Sequence, residues 1–309
     1  MKILVVCSGN AENFSLEKNQ AFIFDQIKAI EGLYHDVHFE VFALKKKGII
    51  GYIHEFGKLK HAIRNFQPDI IHTHGGHTGF LSILQRKIPV VITFHGSDIN
   101  RIPNRYISLI AALFSASCIF VSKNLKKKLF FIKGQIVPCG VDLSIFYPIA
   151  SIDAKKQLGM NPTQKYILFP SSFDNKIKNF PLAQSVIHNF PDYQLMEISN
   201  RTRGEVNLLL NGADALLMTS FSEGSPQTIK EALACNVRIV SVDVGDISEQ
   251  LEGVDACFCC SYKPEELIEK LKKSLACPRP QKGRKKAENY NNLKIAETIV
   301  AIYNQVLKK

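Results

Sequence analysis

In the stretch EGSPQTIKEALACN, Glu223 to Asn236, two carboxylates are separated by seven residues, and a Gly-Ser-Pro turn directly follows the first. The residues before it, ADALLMTS, read as a buried strand, SEGSP as its exit loop, and PQTIKEALAC as a helix with Pro226 at or near its first turn, where a missing N–H costs little. The free N–H groups of Gly224, Ser225 and that first turn then form an anion site favoured by the helix dipole. A diphosphate suits such a site. A carboxylate on each side can accept hydrogen bonds from sugar hydroxyls, Glu231 from a ribose and Glu223 from a second sugar. Taken alone, the pair also reads as a helix cap and a solvated helix residue.

These carboxylates need elements to position them, and the chain alternates short strand-like runs with helix-length segments. ILVVC, VHFEVFA, DIIHTH, VVITFH and CIFV come first; after FYP (Phe146 to Pro148) the pattern restarts with YILFPSS, YQLMEIS, ADALLMTS and VRIVSV. This is βαβ organisation, and it predicts an α/β protein of two Rossmann-like, doubly wound parallel-sheet domains joined near residue 150. In open parallel sheets ligands bind beyond the carboxyl ends of the strands. The residues there are Ser8-Gly9-Asn10, His72 to Gly76 and His95 to Asp98 in the first half. In the second half they are Ser171-Ser172 with Lys176 and Lys178, then Ser220 to Ser225, then Val244 to Asp246. His72, flanked by Ile70 and Ile71, reads as a structural strand residue, while His74 and His77 are left for an acceptor.

Composition narrows the class. A chain of 309 residues, 46% hydrophobic, is long enough for two core-bearing domains. Its longest apolar run, Ile107 to Val121, is broken by Ser and Cys and is shorter than the roughly 20 residues of a membrane span. MKILVVCSGN enters a strand at once, without the pattern of a secretory leader, so a cytoplasmic protein is expected. The eight cysteines are scattered except for CFCC at Cys257 to Cys260. With no second pair or neighbouring histidines to complete a zinc site, CFCC reads as a buried strand. The net charge of +11 is unevenly spread: 18 Lys and Arg against 10 Asp and Glu over residues 1–150, 10 against 16 over 151–269, and 11 against 2 over 270–309. Basic ends suit an anionic membrane, a phosphorylated ligand or nucleic acid. The aromatic-basic interleaving of single-strand binders is missing, which argues against nucleic acid.

As a set, four segments resemble a known family. SFSEGSPQTIKEALACNVRIVSVDVGDISE is similar to the C-terminal signature of the GT-B glycosyltransferases, in particular the retaining family 4 (glycosyl transferases group 1). ITFHGSD resembles that family's His-Gly-x-Asp loop, VPCGVDLSIFYP its linker, and KNFPLA its donor-phosphate lysine segment. The resemblance implies domains at 1–150 (acceptor side) and 151–290 (nucleotide-sugar donor side), facing across a cleft, and a C-terminal helix, 291–309, that returns to the first domain. It implies that Glu231 binds the donor ribose and Glu223 the transferred sugar. Gly224, Ser225, Pro226 and Thr228 would line the diphosphate and sugar pocket with Ser172, Lys178 would neutralise the diphosphate, and Gly9 would let the first loop approach the phosphates. His95 would lie beside the transferred sugar and act with Glu223 in catalysis. Asn10, His74 and Asp98 are the acceptor-side candidates.

The implied reaction moves a sugar from a UDP- or GDP-sugar to an acceptor hydroxyl with retention at the anomeric carbon, without a metal or other cofactor. A sugar or a lipid-linked glycan would be the acceptor, in polysaccharide, glycolipid or cell-envelope glycan synthesis. The chain departs from the family pattern in several places, one of them an N-terminal loop with one Gly rather than a pair. PSSFDNKIKN lacks an Arg before Lys178, which leaves Lys176 to stand in. MEISNRTRGEV replaces a Gly-rich loop. Asn236 and Asp246 stand where Gly is common. The alternatives are a nucleotide-sugar epimerase and a non-catalytic sugar-nucleotide binding protein. The charge map adds peripheral, salt-sensitive membrane association through Lys126, Lys127 and Lys128 beside Phe130 and Phe131.

Overall fold

A computed structural model describes residues 1–10, 13–46 and 48–308. Seven-residue and shorter runs rich in Val, Ile and Leu form two sheets, all parallel. In the first, β1 (Lys2–Ser8), β2 (His38–Leu44), β3 (Ile70–His74), β4 (Val90–Phe94), β5 (Ser117–Phe120) and β6 (Gln135–Ile136) lie in the order β2-β1-β3-β4-β5-β6. In the second, β7 (Lys165–Phe169), β8 (Tyr193–Glu197), β9 (Ala215–Met218), β10 (Arg238–Val242) and β11 (Cys257–Cys260) run β11-β10-β9-β7-β8. Central strands such as β3 and β4 are buried along their whole length because helices cover both faces. Along β1, Ile3, Val5 and Cys7 enter one core while Leu4 and Val6 enter the other, the two-residue period of a strand. Ile167 and Phe169 of β7 likewise oppose Tyr166 and Leu168.

The chain divides into two units, Met1–Cys139 with the C-terminal residues from Asn292 on, and Gly140–Asn291. The joint falls before residue 150, the position read from the sequence, because the connecting segment packs into the second unit. Val141 and Phe146 are fully buried in its core. Asn211 accepts from the Ile149 N–H at 2.7 Å and donates to the Tyr147 carbonyl at 2.9 Å.

The C-terminal helix, Asn292–Leu307, completes the first unit. Its apolar side, with Ile295, Ile299, Val300, Ile302 and Tyr303, packs into the core shared with helix Ala21–Leu33 and one face of the first sheet. Asn292 caps the join by donating to the Asp25 carbonyl at 3.2 Å. CFCC forms β11, and burial pushes the thiols of Cys257, Cys259 and Cys260 up to about 12, where they are protonated hydrophobes.

In each sheet the chain steps outward from its first strand in one direction and then returns to the other side, so the connections diverge between β1 and β3 and between β7 and β9. Such a divergence opens a crevice at the carboxyl ends of the strands.

Candidate functional site

In the second unit the crevice between β7 and β9 is bridged by charge. After β7, Asn175 caps a 3-10 turn, Lys176–Lys178, by accepting from the Ile177 N–H. Thr219, just past β9, donates to the carbonyls of Lys178 and Asn179 at 2.9 and 3.0 Å, tying the turn to the neighbouring strand end. Lys178 Nζ then reaches Glu223 Oε1 at 2.7 Å, the two side chains 20% and 12% exposed. Lys176, on the same turn, is exposed. Ser172 accepts from the Asp174 N–H and shapes the start of this loop.

The loop after β9 leads into helix Gln227–Ala234. Pro226 is its N-cap residue, with φ −66° and ψ 127°, one position before the first turn. Gly224 is buried and Thr228 half-buried. Gly245, at φ +68°, lies so close that a Cβ there would sit 3.1 Å from Glu223 Cβ. The Ser225 hydroxyl is engaged: it donates to Asp246 Oδ2 at 2.8 Å, and Gln250 donates to both Ser225 Oγ and Asp246 Oδ1. Asp246 therefore has a structural use where the sequence reading saw only a missing glycine. Burial pushes its carboxyl upward, opposed by the Lys230 cation and by these hydrogen bonds.

Glu231 is buried, which rules out the solvated helix residue that the spacing alone allows. Its Oε1 accepts from Arg203 Nη1 at 2.7 Å, and the guanidinium lies over the Phe146 ring at 4.6 Å. Sequence reasoning missed Arg203. The signal was present in TRGE, where Thr202 and Glu205 form a capping box that opens helix Arg203–Gly212 and places Arg203 at its first position. Asn236 adopts φ +53°, a left-handed backbone that Asn tolerates, which explains its presence at a glycine-favouring position.

In the first unit the strand ends carry histidines. His72 is a core residue on β3: Tyr303 Oη lies 2.6 Å from its Nδ1 and Thr93 Oγ1 2.8 Å from its Nε2, and burial depresses its pKa to about 3. His74 is also buried, and its Nδ1 lies 3.0 Å from His95 Nε2. Burial, then the neighbouring His72 and His95, hold its pKa well below the usual range. The other ring nitrogen of His95, Nδ1, lies 3.7 Å from Cys139 Sγ, and Phe22 packs on the ring at 4.6 Å. Asp98, an acceptor-side candidate in the sequence, lines the cavity at these strand ends, and its carboxylate oxygens accept from the N–H groups of His95 at 3.1 Å and Gly96 at 2.8 Å, so it also shapes the histidine loop.

Gly9 also has a packing reason for being glycine, since a Cβ there would meet Ala43 Cβ at 2.6 Å. Its neighbours Ser8 and Asn10, joined by a 2.6 Å hydrogen bond, line a polar cavity of about 700 Å³ with His74, His77 and His95. Among the described residues, no group of three or more His, Cys, Asp or Glu side chains could hold a metal ion, and no helix is long and apolar enough to cross a membrane.

Two doubly wound parallel-sheet domains, each with polar residues at its strand divergence, define the GT-B class. Residues 3–145 match the model of Glycosyltransferase Family 4 and residues 193–277 that of Glycosyl transferases group 1. It is 28% identical over 217 residues to the putative teichuronic acid biosynthesis glycosyltransferase TuaC of Bacillus subtilis, a match covering 60% of this chain and 56% of that protein, so the chain spans about half the length of this curated relative. Among solved structures, sucrose-phosphate synthase of Thermosynechococcus elongatus superimposes with a TM-score of 0.84 at 15% identity over all of both chains. HepE of Anabaena in complex with UDP-glucose does so at 0.70, also at 15% identity, over 100% of this chain and 98% of that one.

Proposed function

We propose that the chain transfers a sugar from a nucleoside diphosphate sugar, UDP- or GDP-linked, to an acceptor hydroxyl with retention at the anomeric carbon and without a metal. The observation that carries this reading is the Lys178–Glu223 ion pair at the β7/β9 crevice, beside the N–H groups that open helix Gln227–Ala234. A diphosphate entering there replaces Glu223 as the partner of Lys178. It also gains the Gly224 and Ser225 N–H groups and the positive end of the helix. Glu223, once released, accepts from hydroxyls of the transferred sugar, and Glu231, oriented by Arg203, accepts from the ribose. As the bond from the anomeric carbon to the diphosphate oxygen breaks, its electron pair leaves with the diphosphate. Lys178 and the loop N–H groups stabilise that charge in place of a metal. The acceptor oxygen bonds to the same face, and its proton passes to the departing phosphate.

The first unit, with Asn10, His77 and His95 around its polar cavity, is the acceptor side. Polysaccharide or cell-envelope glycan synthesis is the setting, a reading supported by the similarity to TuaC. The protein would act in the cytoplasm and peripherally on the inner membrane face, through Lys126, Lys127 and Lys128 beside Phe130 and Phe131, which are 78% and 54% exposed. The test is release of free nucleoside diphosphate from UDP-glucose and GDP-mannose with and without acceptor extracts, followed by anomeric analysis of the product. Acceptor-dependent release that persists with a chelator, and an axial-to-axial or equatorial-to-equatorial outcome, are expected. A nucleotide bound but never cleaved would leave a binding protein instead.

A further inference from the structure

The loop that closes on the Glu223–Ser225 turn carries a buried charge of the wrong sign for an anion site. Asp246, 7% exposed, directly precedes helix Ile247–Leu251, the position from which an aspartate ordinarily caps a helix, yet its carboxylate makes no cap bond. Its oxygens turn elsewhere: Oδ2 accepts from the Ser225 hydroxyl at 2.8 Å and Oδ1 from Gln250 Nε2 at 2.6 Å. Gly245 brings the loop in close, since a Cβ there would lie 3.1 Å from Glu223 Cβ and 3.2 Å from the Gly224 carbonyl oxygen. A negative charge thus stands one hydroxyl behind the N–H groups that would receive a diphosphate, where it repels such a ligand.

The cation that answers it is also buried. Lys230, inside helix Gln227–Ala234 and next to Glu231 in the chain, is completely shielded from water. Its Nζ lies 5.3 Å from the centre of the Tyr290 ring. The same residue feels Asp246: burial, then the Asp246 carboxylate, push the Tyr290 hydroxyl up to about 12. Lys230 in turn draws the Asp246 carboxyl down against the lift from burial. Charges held away from water persist where an opposite charge compensates them, and here each supplies the other's partner. Neither residue belongs to the Lys178–Glu223 or the Arg203–Glu231 pair.

We propose that Asp246 and Lys230 are a positioning pair for donor binding: Asp246 fixes the turn by holding the Ser225 hydroxyl, and Lys230 cancels the charge that Asp246 would otherwise turn on the diphosphate. The proposal rests on the turn being the diphosphate site, and it adds that donor affinity is set by a charge balance beneath that turn. Two consequences of opposite sign follow. Without Lys230 the carboxylate repels the ligand. With Asn in place of Asp246 the turn keeps its ties, because the amide Nδ2 donates to Ser225 Oγ while Oδ1 still accepts from Gln250. The Ser225 proton is then released for the ligand, and the Lys230 charge acts on the ligand unopposed.

Titration calorimetry of the full chain with UDP and GDP, with uridine followed by ligand-observed NMR as an uncharged control, reads this balance. Asp246→Asn should bind the diphosphates roughly tenfold more tightly and Lys230→Met roughly tenfold more weakly, the scale of one unit charge at short range in a partly buried site. Uridine affinity should change little in either. Combining Lys230→Met with Asp246→Asn should return diphosphate affinity to near its native value. Damage to packing alone would weaken the diphosphates in both single variants, and that result overturns the proposal, as does a uridine affinity that moves in step with that of UDP. Should Lys230→Met fail to fold, Asp246→Asn decides by itself: unchanged or weaker UDP binding overturns the pair. The two readings fail separately. A chain that binds UDP in this charge-dependent way but cleaves no donor sinks the transfer reaction alone, and donor transfer with UDP affinity unaltered in the variants sinks the pair alone.

Discussion

Glu223 and Glu231 look alike in sequence, but each has a different cation in the fold, and the difference predicts how their variants behave. Glu231 is paired with Arg203 and Glu223 with Lys178, so Glu231→Ala should weaken binding of UDP or GDP itself. Glu223→Ala frees Lys178 and should leave bare nucleotide binding largely intact while reducing turnover of the intact donor. Equal loss of nucleotide affinity in both variants, by calorimetry, would sink the assignment. A bidentate or charge-assisted hydrogen bond is worth roughly 1.5–3 kcal/mol, so the contrast is measurable. Removing Arg203 leaves a buried carboxylate uncompensated, at a cost of about 3–5 kcal/mol. Arg203→Ala should therefore lower the urea midpoint markedly, and Arg203→Met combined with Glu231→Gln should recover much of the loss. The carboxylate pair was legible because the spacing and the turn are local. Arg203 was not, because its partner lies on another helix 28 residues further on.

At the scale of elements, the C-terminal helix is locked to β3 through Tyr303 and His72, and that join is sensitive to acid. His72 ionises at about 3 in the fold, against 6.5 unperturbed. Between those values the unfolded chain binds a proton that the native chain refuses, so stability falls as pH drops from 6.5 toward 3. The slope approaches about 1.4 kcal/mol per pH unit for this one histidine. His74, depressed in the same direction, adds to it. Melting midpoints at pH 7 and pH 5 should differ clearly in the native chain and less in His72→Gln, and identical pH dependence in the two would remove His72 as the cause. Tyr303→Phe deprives His72 of its hydroxyl partner and should cost about 1–3 kcal/mol at pH 7. The histidines themselves were readable as strand-end residues. Which of them lay in the core was partly readable too, since Ile70 and Ile71 flank His72, but the pairing of His74 with His95 needs β3 and β4 side by side.

On the scale of the whole molecule, charge is the property that sequence states most directly, and it yields the last prediction. Residues 1–150 and 270–309 carry the excess of Lys and Arg, and Phe130 and Phe131 are exposed beside Lys127 and Lys128. Each cation near an anionic leaflet contributes about 1 kcal/mol, and salt screens it over roughly 10 Å at 0.1 M. Co-sedimentation with anionic vesicles should fall as salt rises and drop further in the Lys126, Lys127, Lys128 triple Glu variant. No binding at low salt would rule membrane association out. Sequence alone determined the two-sheet architecture and the helices around it, because strand and helix periods and turn residues are local properties that burial reinforces everywhere along the chain. It also picked out the acidic pair, the lysine turn and the histidine loop, because ligand chemistry concentrates at strand ends. Only the tertiary structure decided that Lys178 meets Glu223, that Arg203 meets Glu231 and that Asp246 holds Ser225. Those contacts join residues far apart in the chain, and their distances depend on how strands order and helices pack, which no local pattern encodes.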